Sequence, residues 1–329
     1  MVELPLELVL RIIEAVIDDD AVALPSGHPT TRTLYSLLTV SRATTKTAKR
    51  LLFSHCLHID SPWRLRSLVE SLVNPRFVSH ISGSGTSARN LLLSPFSSFT
   101  LDERPVVEDI CTLFSIIGSR LRKVVVDIPF RSHYPAEDAE TQFRPALRKA
   151  FEKLENVEEF ISTNDELYLD TVEGNEQGLL WMKWVKLRHL ALYNLDIYAD
   201  QRDVLEAITE LPELRTVVLA SVDGFREGIR ELYRRAHKPL DVFFVEAVHG
   251  NGQIPDPETV YELSVLSPLA RPKQDAEHPL RLYRVCVQGE YFGIQDYDAI
   301  GACQNYLRQR GNERALWRLA SQLPKKENV

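Results

Sequence analysis

Between residues 5 and 17, Leu8, Val9, Ile12, Ile13, Val16 and Ile17 recur at intervals of three and four, the period at which side chains stack along one side of a helix. Pro5 suits a first helical turn and Glu7 faces the positive helix end, so an amphipathic helix is predicted over 5–17. Asp18, Asp19 and Asp20 end the apolar pattern, and Pro25, Gly27 and Pro29 interrupt the next segment, which predicts an exposed loop to about Arg32. A short helix is predicted to resume with Leu34, Leu37 and Leu38. Ser41 is a good N-cap for a third helix bearing Ala43, Thr47, Ala48, Leu51 and Leu52 along one side and closed by Phe53. From His55 to Asp60, Cys56 and His58 alternate with Leu57 and Ile59 as in a short half-buried strand, and Ser61-Pro62 opens a helix carrying Leu65, Leu68, Val69 and Leu72.

From about residue 119 the pattern becomes a loose repeat in which a strand of the form apolar-x-x-apolar-x-apolar precedes a helix. The strands are Leu121/Val124/Val126, Val157/Phe160, Leu187/Leu190/Leu192, Leu214/Val217/Leu219, Leu240/Phe243/Val245 and Leu282/Val285/Val287. Their spacing is centred near leucine-rich-repeat length but is irregular. Helical periodicity fills 105–118, 142–154, 201–211 and 225–236. A strand-helix unit cannot bury its apolar face alone, so the predicted fold class is α/β: an irregular solenoid with a curved, mainly parallel sheet backed by helices. Residues 296–322 read as helical and are expected to cap the open end, with 325–329 fraying. Residues between the core positions of each strand point to the other sheet face. Arg188, Ala191, Tyr193, Arg215, Val218, Phe244, Arg284 and Cys286 are therefore expected on an exposed recognition surface, with Leu192, Phe243 and Val285 turned toward the helices. Tyr and Arg are favoured interface types, and Arg188, Tyr193, Arg215, Phe244 and Arg284 are the candidate client-binding residues.

Composition narrows the class. The 329 residues are 44% hydrophobic and 26% charged, with 14 Gly and 18 Pro, which excludes disordered, collagenous and linker classes. The net charge of −7 and pI near 5.8 argue against a dominant nucleic-acid surface, which needs a basic face. No apolar run reaches membrane-spanning length, and the acids of Met-Val-Glu-Leu-Pro-Leu-Glu-Leu stand where a signal peptide wants bases, so neither a span nor secretion is expected. Cys56, Cys111, Cys286 and Cys303 form no CxxC and read as reduced thiols of the cytoplasm or nucleus.

Leu4-Pro5-Leu6-Glu7-Leu8, Ile12, Val16, then Leu37-Leu38-Thr39-Val40-Ser41-Arg42, Ala48 and Leu52-Phe53 resemble, in order and spacing, the F-box motif. The likeness covers about the first 60 residues. Continued through Leu57-His58-Ile59-Asp60-Ser61-Pro62 into degenerate leucine-rich-like repeats, the chain resembles the large F-box families of mushroom-forming fungi. The resemblance implies an F-box domain over 1–60 and a substrate-recognition domain over 61–329. It implies an adaptor that docks on a Skp-type protein, joins through it a cullin-RING ubiquitin ligase, and holds a protein client. By position, Leu4, Pro5, Leu8, Ile12, Leu37, Leu38, Val40 and Leu52 fall where the family places its core or Skp-facing apolar residues. Two features depart from the pattern: the 18–32 loop is long, and Thr44 stands where many members carry an aromatic residue. The alternative is a repeat-built interaction scaffold, unconnected with ubiquitin, whose N-terminal helices serve as a cap.

The search for chemistry leaves little. Gly83-Ser84-Gly85-Thr86-Ser87-Ala88 matches GxGxxA, with Asp102 and Glu103 downstream, but no strand-glycine-helix context surrounds it. His55, Cys56 and His58 are a tight group of potential ligands without a second pair to complete a zinc site. The remaining histidines are scattered, Asp18–Asp20 reads as a solvated loop, and Glu155, Glu158 and Glu159 read as repeat surface. The basic groups Arg42/Lys46/Lys49/Arg50 and Arg230/Arg234/Arg235 read as solvated helix faces. No catalysis, cofactor, metal, nucleic acid or membrane is expected; an α/β enzyme would need a polar cleft at the strand C-termini.

Overall fold

A computed structural model describes residues 4–17, 22–74, 88–96, 100–132, 138–167, 169, 178–195, 197, 202–222, 225–248, 258–262, 279–288, 290–292 and 296–322. The chain divides into two compact units, Met1–Val157 with Leu169–Asn175, and Glu158–Tyr168 with Glu176–Val329. Within the first unit the N-terminal helices are followed by the first parallel strands.

In the first unit, α1 (Leu6–Glu14) starts from Pro5, which stands at the N-cap position and not inside the first turn; its carbonyl accepts from the Leu8 and Val9 amides at 3.0 and 3.2 Å. Helix α2 (Pro29–Leu37) begins ahead of the expected Leu34. Pro29 opens this helix instead of breaking the chain, since its fixed φ suits a first turn, and His28 Nδ1 accepts from the Thr30 amide at 3.3 Å. The predicted exposed loop is also partly inside: Val22, Ala23 and Leu24 are buried, and the Leu24 amide donates to His55 O at 2.7 Å. Helix α3 (Arg42–His55) has the expected Ser41 cap, completed as a capping box with Thr44. Ile13, Ile17, Leu34, Ala48 and Leu51 form the core of these helices, with Val9, Leu10, Leu37, Leu38, Leu52 and Cys56 packed against it.

The strand-helix alternation starts earlier than the predicted residue 119. β1 (His58–Ile59), α4 (Pro62–Val73), β2 (Asn90–Leu93), α5 (Arg104–Ile117), β3 (Lys123–Val126) and α6 (Phe143–Phe151) follow in order, and β1, β2 and β3 pair in parallel. β2 escapes a periodicity search because all four residues, Asn-Leu-Leu-Leu, are buried, so nothing alternates. Leu65, Val69 and Leu72 of α4, Ile110, Leu113 and Phe114 of α5, and Leu147 and Phe151 of α6 supply the core on the helical side, where Phe114 meets Phe151 edge-on at 4.9 Å.

The second unit contains β4 (Glu159–Ser162), β5 (His189–Tyr193), α7 (Arg202–Glu210), β6 (Thr216–Ala220), α8 (Phe225–Arg235), β7 (Leu240–Val248), β8 (Glu258–Glu262), β9 (Leu280–Gln288), the antiparallel pair β10 (Glu290–Phe292) and β11 (Asp296–Asp298), α9 (Ala299–Asn312) and a 3-10 turn at Ala315–Gln322. Strands β4, β5, β6, β7 and β9 are parallel neighbours in that order, and β8 closes the edge antiparallel to β9. The fold is thus α/β with mainly parallel pairing. The C-terminal helix does not sit at an open end. α9 touches β4, β5, β6, β7 and β9, and it comes close because Gly311 has no side chain: a Cβ there would stand 2.6 Å from Ile161 Cδ1.

Gly228 of α8 is a second close approach, since a Cβ would fall 2.4 Å from the Ile197 carbonyl oxygen. Helix propensity alone favours alanine by about 1 kcal/mol. Backbone crowding should outweigh it, and Gly228→Ala is expected to lower urea stability by about 1–3 kcal/mol; a stabilised variant would show that the helix can slide away.

Candidate functional site

Two surfaces, one in each unit, carry the chemistry available for recognition. On α1 side chains four apart share a stripe, and α1 with its flanking residues carries two apolar stripes. Val9, Ile13 and Ile17 face the small core. Leu4, Leu8, Ile12 and Val16 face out, with 55%, 49%, 58% and 39% of their surface exposed. Pro5 is exposed as well, and Val40, in the turn between α2 and α3, is 66% exposed. The remaining residues of the predicted docking set, Leu37, Leu38 and Leu52, are half-buried against the core. The set therefore separates into an outer group, Leu4, Pro5, Leu8, Ile12 and Val40, and an inner group that supports it. Thr44 is buried: its hydroxyl accepts from the Ser41 amide at 3.0 Å, and its own amide donates to Ser41 Oγ at 3.2 Å. The position is a helix cap, with no outward face for an aromatic ring. Arg50 pairs with Glu14 and ties α3 to α1.

In the second unit the expected recognition face is largely closed. Tyr193, Ala191, Val218 and Phe244 are buried, while Arg188, Arg215 and Arg284 are exposed and Cys286 is half-buried. The pairing register explains part of this. Ile161, Ala191, Val218, Phe243 and Tyr283 form one row across the strands, and Ser162, Leu192, Leu219, Phe244 and Arg284 form the next. Neighbouring rows face opposite ways, so Phe244 and Arg284 share a face with Leu192, while Phe243 shares one with Ala191. Tyr193 lies in the same row as Val245 and Val285. The predicted phase is thus inverted on β7 and β9. The sequence Val242-Phe243-Phe244-Val245 is apolar without alternation and sets no phase, as in strands covered on both sides. Arg284 pairs with Glu246 at 2.6 Å, and Arg188 with Glu213 at 3.4 Å.

The face bearing Ile161, Ala191 and Val218 is covered by α9, and the turn after α9 is fastened by a polar cluster that sequence inspection missed. Glu159, read as surface, is buried. Its carboxylate accepts from Arg314 Nη2 at 2.8 Å, Arg314 Nε at 3.2 Å and Trp317 Nε1 at 2.9 Å. The His189 ring stacks on Trp317 at 5.0 Å. Burial holds the His189 pKa below the usual histidine range; Glu159 opposes that shift, and Arg314, Arg215 and Arg188 reinforce it. No local signal marks Glu159, because its partners lie more than 150 positions away.

Beside this cluster, the N-terminal ends of β6, β7 and β9 border an open groove of about 630 Å³, with Arg215, Thr216, Lys238, Asp241 and Arg281 among its lining and His189 in its wall. The opposite, C-terminal ends are where α/β enzymes gather polar groups, so this groove lacks the usual placement of a catalytic cleft. Burial pushes the Cys111 thiol up to about 11 and raises those of Cys56 and Cys286, away from the thiolate form that acts as a nucleophile. Among the described residues no three His, Cys, Asp or Glu side chains converge on a metal position, including those around His55, Cys56 and His58. Among those residues, too, no helix is long and apolar enough to cross a membrane. Gly83–Ser87 and Asp18–Asp20 lie outside the described residues. Neither a known family model nor a curated protein matches the chain.

The corrected burial reverses one expectation. Tyr193→Ala and Phe244→Ala should each cost about 3–5 kcal/mol through core cavities, and Leu192→Ala about 2–5 kcal/mol, whereas Arg284→Ala should stay within about 0.5 kcal/mol; chemical denaturation of the four variants distinguishes them. Histidine adds a pH dependence. With a folded-state pKa below the unfolded value of about 6.5, His189 contributes stability that is present above that value and lost as pH falls through the folded pKa. The urea midpoint should therefore drop between pH 7.5 and 5.5, and less steeply in His189→Gln; equal slopes would assign the loss to other groups, His58 among them.

Proposed function

We propose that this protein is a substrate-recognition adaptor of a cullin-RING ubiquitin ligase, in which an F-box-like helical segment docks on a Skp-type protein and a degenerate leucine-rich-repeat-like body holds a protein client. The observation that carries the proposal is the outward stripe of Leu4, Leu8, Ile12 and Val16 along α1 and its flanking residues, whose other apolar stripe already fills a core. A solvated helix has no use for a second apolar side; contiguous exposed apolar surface of this kind marks a binding face. The motif residues that resemble the F-box lie on both sides of this division, the outer ones available to a partner and the inner ones packed against the helical core. The succession of strands beginning at 58, 90, 123, 159, 189, 216, 240 and 280, most followed by a helix, supports the repeat-like reading of the body. The proposed role assigns no catalysis to this chain and places its work where ubiquitin ligases act, in the cytoplasm or nucleus.

Leu8 is half-exposed, so Leu8→Asp should fold with stability within about 0.5 kcal/mol of the parent. Docked against an apolar partner, the aspartate would be a buried, unpaired charge costing several kcal/mol. Binding of a purified Skp-type protein, measured by calorimetry beside a melting curve, should be lost in Leu8→Asp and retained in Arg284→Ala. Undiminished binding by the folded Leu8→Asp protein would overturn the proposed docking face. No binding by the parent chain would favour the scaffold alternative.

A further inference from the structure

The charges around the groove of the second unit do not balance. Arg281 is held by Asp241 through two hydrogen bonds, Nε–Oδ1 at 2.6 Å and Nη2–Oδ2 at 2.7 Å, and the rim carboxylate of Glu213 is answered by Arg188. Two cations remain. Arg215 is exposed, and among the described residues its guanidinium makes no hydrogen bond or ion pair. Lys238 donates to the Leu211 carbonyl, and Glu210 acts on it without a hydrogen bond or ion pair, leaving ammonium protons without acceptors.

The backbone around the groove is already committed. The Arg215 amide donates to Arg188 O at 2.9 Å, the Asp241 amide to Arg215 O at 2.9 Å and the Leu240 amide to Pro279 O at 3.0 Å, while Pro212 and Pro239 have no amide hydrogen to offer. An incoming strand would find no free edge here, so recognition must go through side-chain charge. We propose that this groove binds an acidic segment of a partner protein, with Arg215 and Lys238 receiving its carboxylates. A groove of this volume suits a ligand of several linked groups better than a single small anion. A nucleic acid fits poorly: Glu213 and Asp241 would face its phosphates, and the lining offers no Phe, Tyr or Trp for base stacking.

Calling the partner a client rests on the adaptor role proposed above; the groove's binding of an acidic chain does not, because it is measured without any Skp-type protein. The full chain is titrated against a fluorescein-labelled hexaglutamate peptide by fluorescence anisotropy at low ionic strength, with hexaglutamine, hexauridylate and inorganic phosphate as comparators. The expected result is saturable binding of hexaglutamate that weakens with salt, is absent for hexaglutamine, and is not displaced by phosphate at equal ionic strength. Arg215→Gln with Lys238→Gln should weaken it at least about tenfold, the loss expected of two charge-assisted contacts, with an unchanged melting temperature. Arg284→Gln, which alters a cation outside the groove, should stay within about twofold. Glu213→Gln, which deletes a rim carboxylate and releases Arg188, should tighten binding and provides a second readout should the double variant fold poorly. Equal weakening by Arg284→Gln, indifference to the groove variants, or preferential binding of hexauridylate would overturn the proposal. Leu8→Asp should leave hexaglutamate binding intact, so failure of the groove and failure of the docking helix are told apart.

Discussion

Parallel strands covered by helices on only one side leave their other face to water, and in the second unit that face is made of Ile161, Ala191, Val218, Phe243 and Tyr283. An apolar row of that kind has to be covered. The chain covers it with its own C-terminal segment: Gly311 lets α9 approach Ile161, and the buried Glu159 carboxylate fastens the turn after α9 through Arg314 and Trp317. A buried carboxylate is tolerated only when its oxygens are hydrogen-bonded and its charge is opposed, and here one guanidinium and one indole do both. The sealing of this sheet face rests on this contact.

The same logic acts with the opposite outcome in the first unit. Helix α1 also has two apolar sides, but the chain covers only one among the described residues. Ile13 and Ile17 are enclosed by α2 and α3, while Leu8 and Ile12 remain in contact with solvent. An apolar row closed in cis becomes core, and one left open becomes a candidate interface. The difference lies in where the chain returns, and composition is blind to it, since leucine and isoleucine occupy both rows.

The electrostatics follow this division. A chain with net charge −7 nonetheless lines this groove with Arg215 and Lys238, while the acids beside them are already engaged by Arg281 and Arg188. Average charge describes solubility and long-range repulsion; it says little about a concavity a few residues wide. Proline at positions 212 and 239, together with the engaged amides of Arg215, Leu240 and Asp241, takes those backbone positions of the groove out of play as donors.

The sequence by itself determined whatever depends on neighbours within a turn or two. The Ser41 cap, the period of α1 and α3, the helices near 105–118, 142–154, 201–211 and 225–236, and the strand cores at Leu190, Val217 and Leu282 were legible because helix and strand periodicities are local. Elements without alternation were not: β2 is Asn-Leu-Leu-Leu, and the run through Phe243 and Phe244 offers no phase, so the inner and outer faces of β7 and β9 were assigned the wrong way round. Pro29 was ambiguous locally, since proline both breaks a chain and begins a helix, and only the placement of His28 and the packing of Leu34 chose between them. Tertiary structure alone decided which of two equal stripes on α1 was enclosed, that Tyr193 and Phe244 were core rather than surface, and that Glu159 met Arg314 and Trp317. Those outcomes depend on contacts between residues far apart along the chain, more than 150 positions for Glu159, and no window of sequence contains both partners.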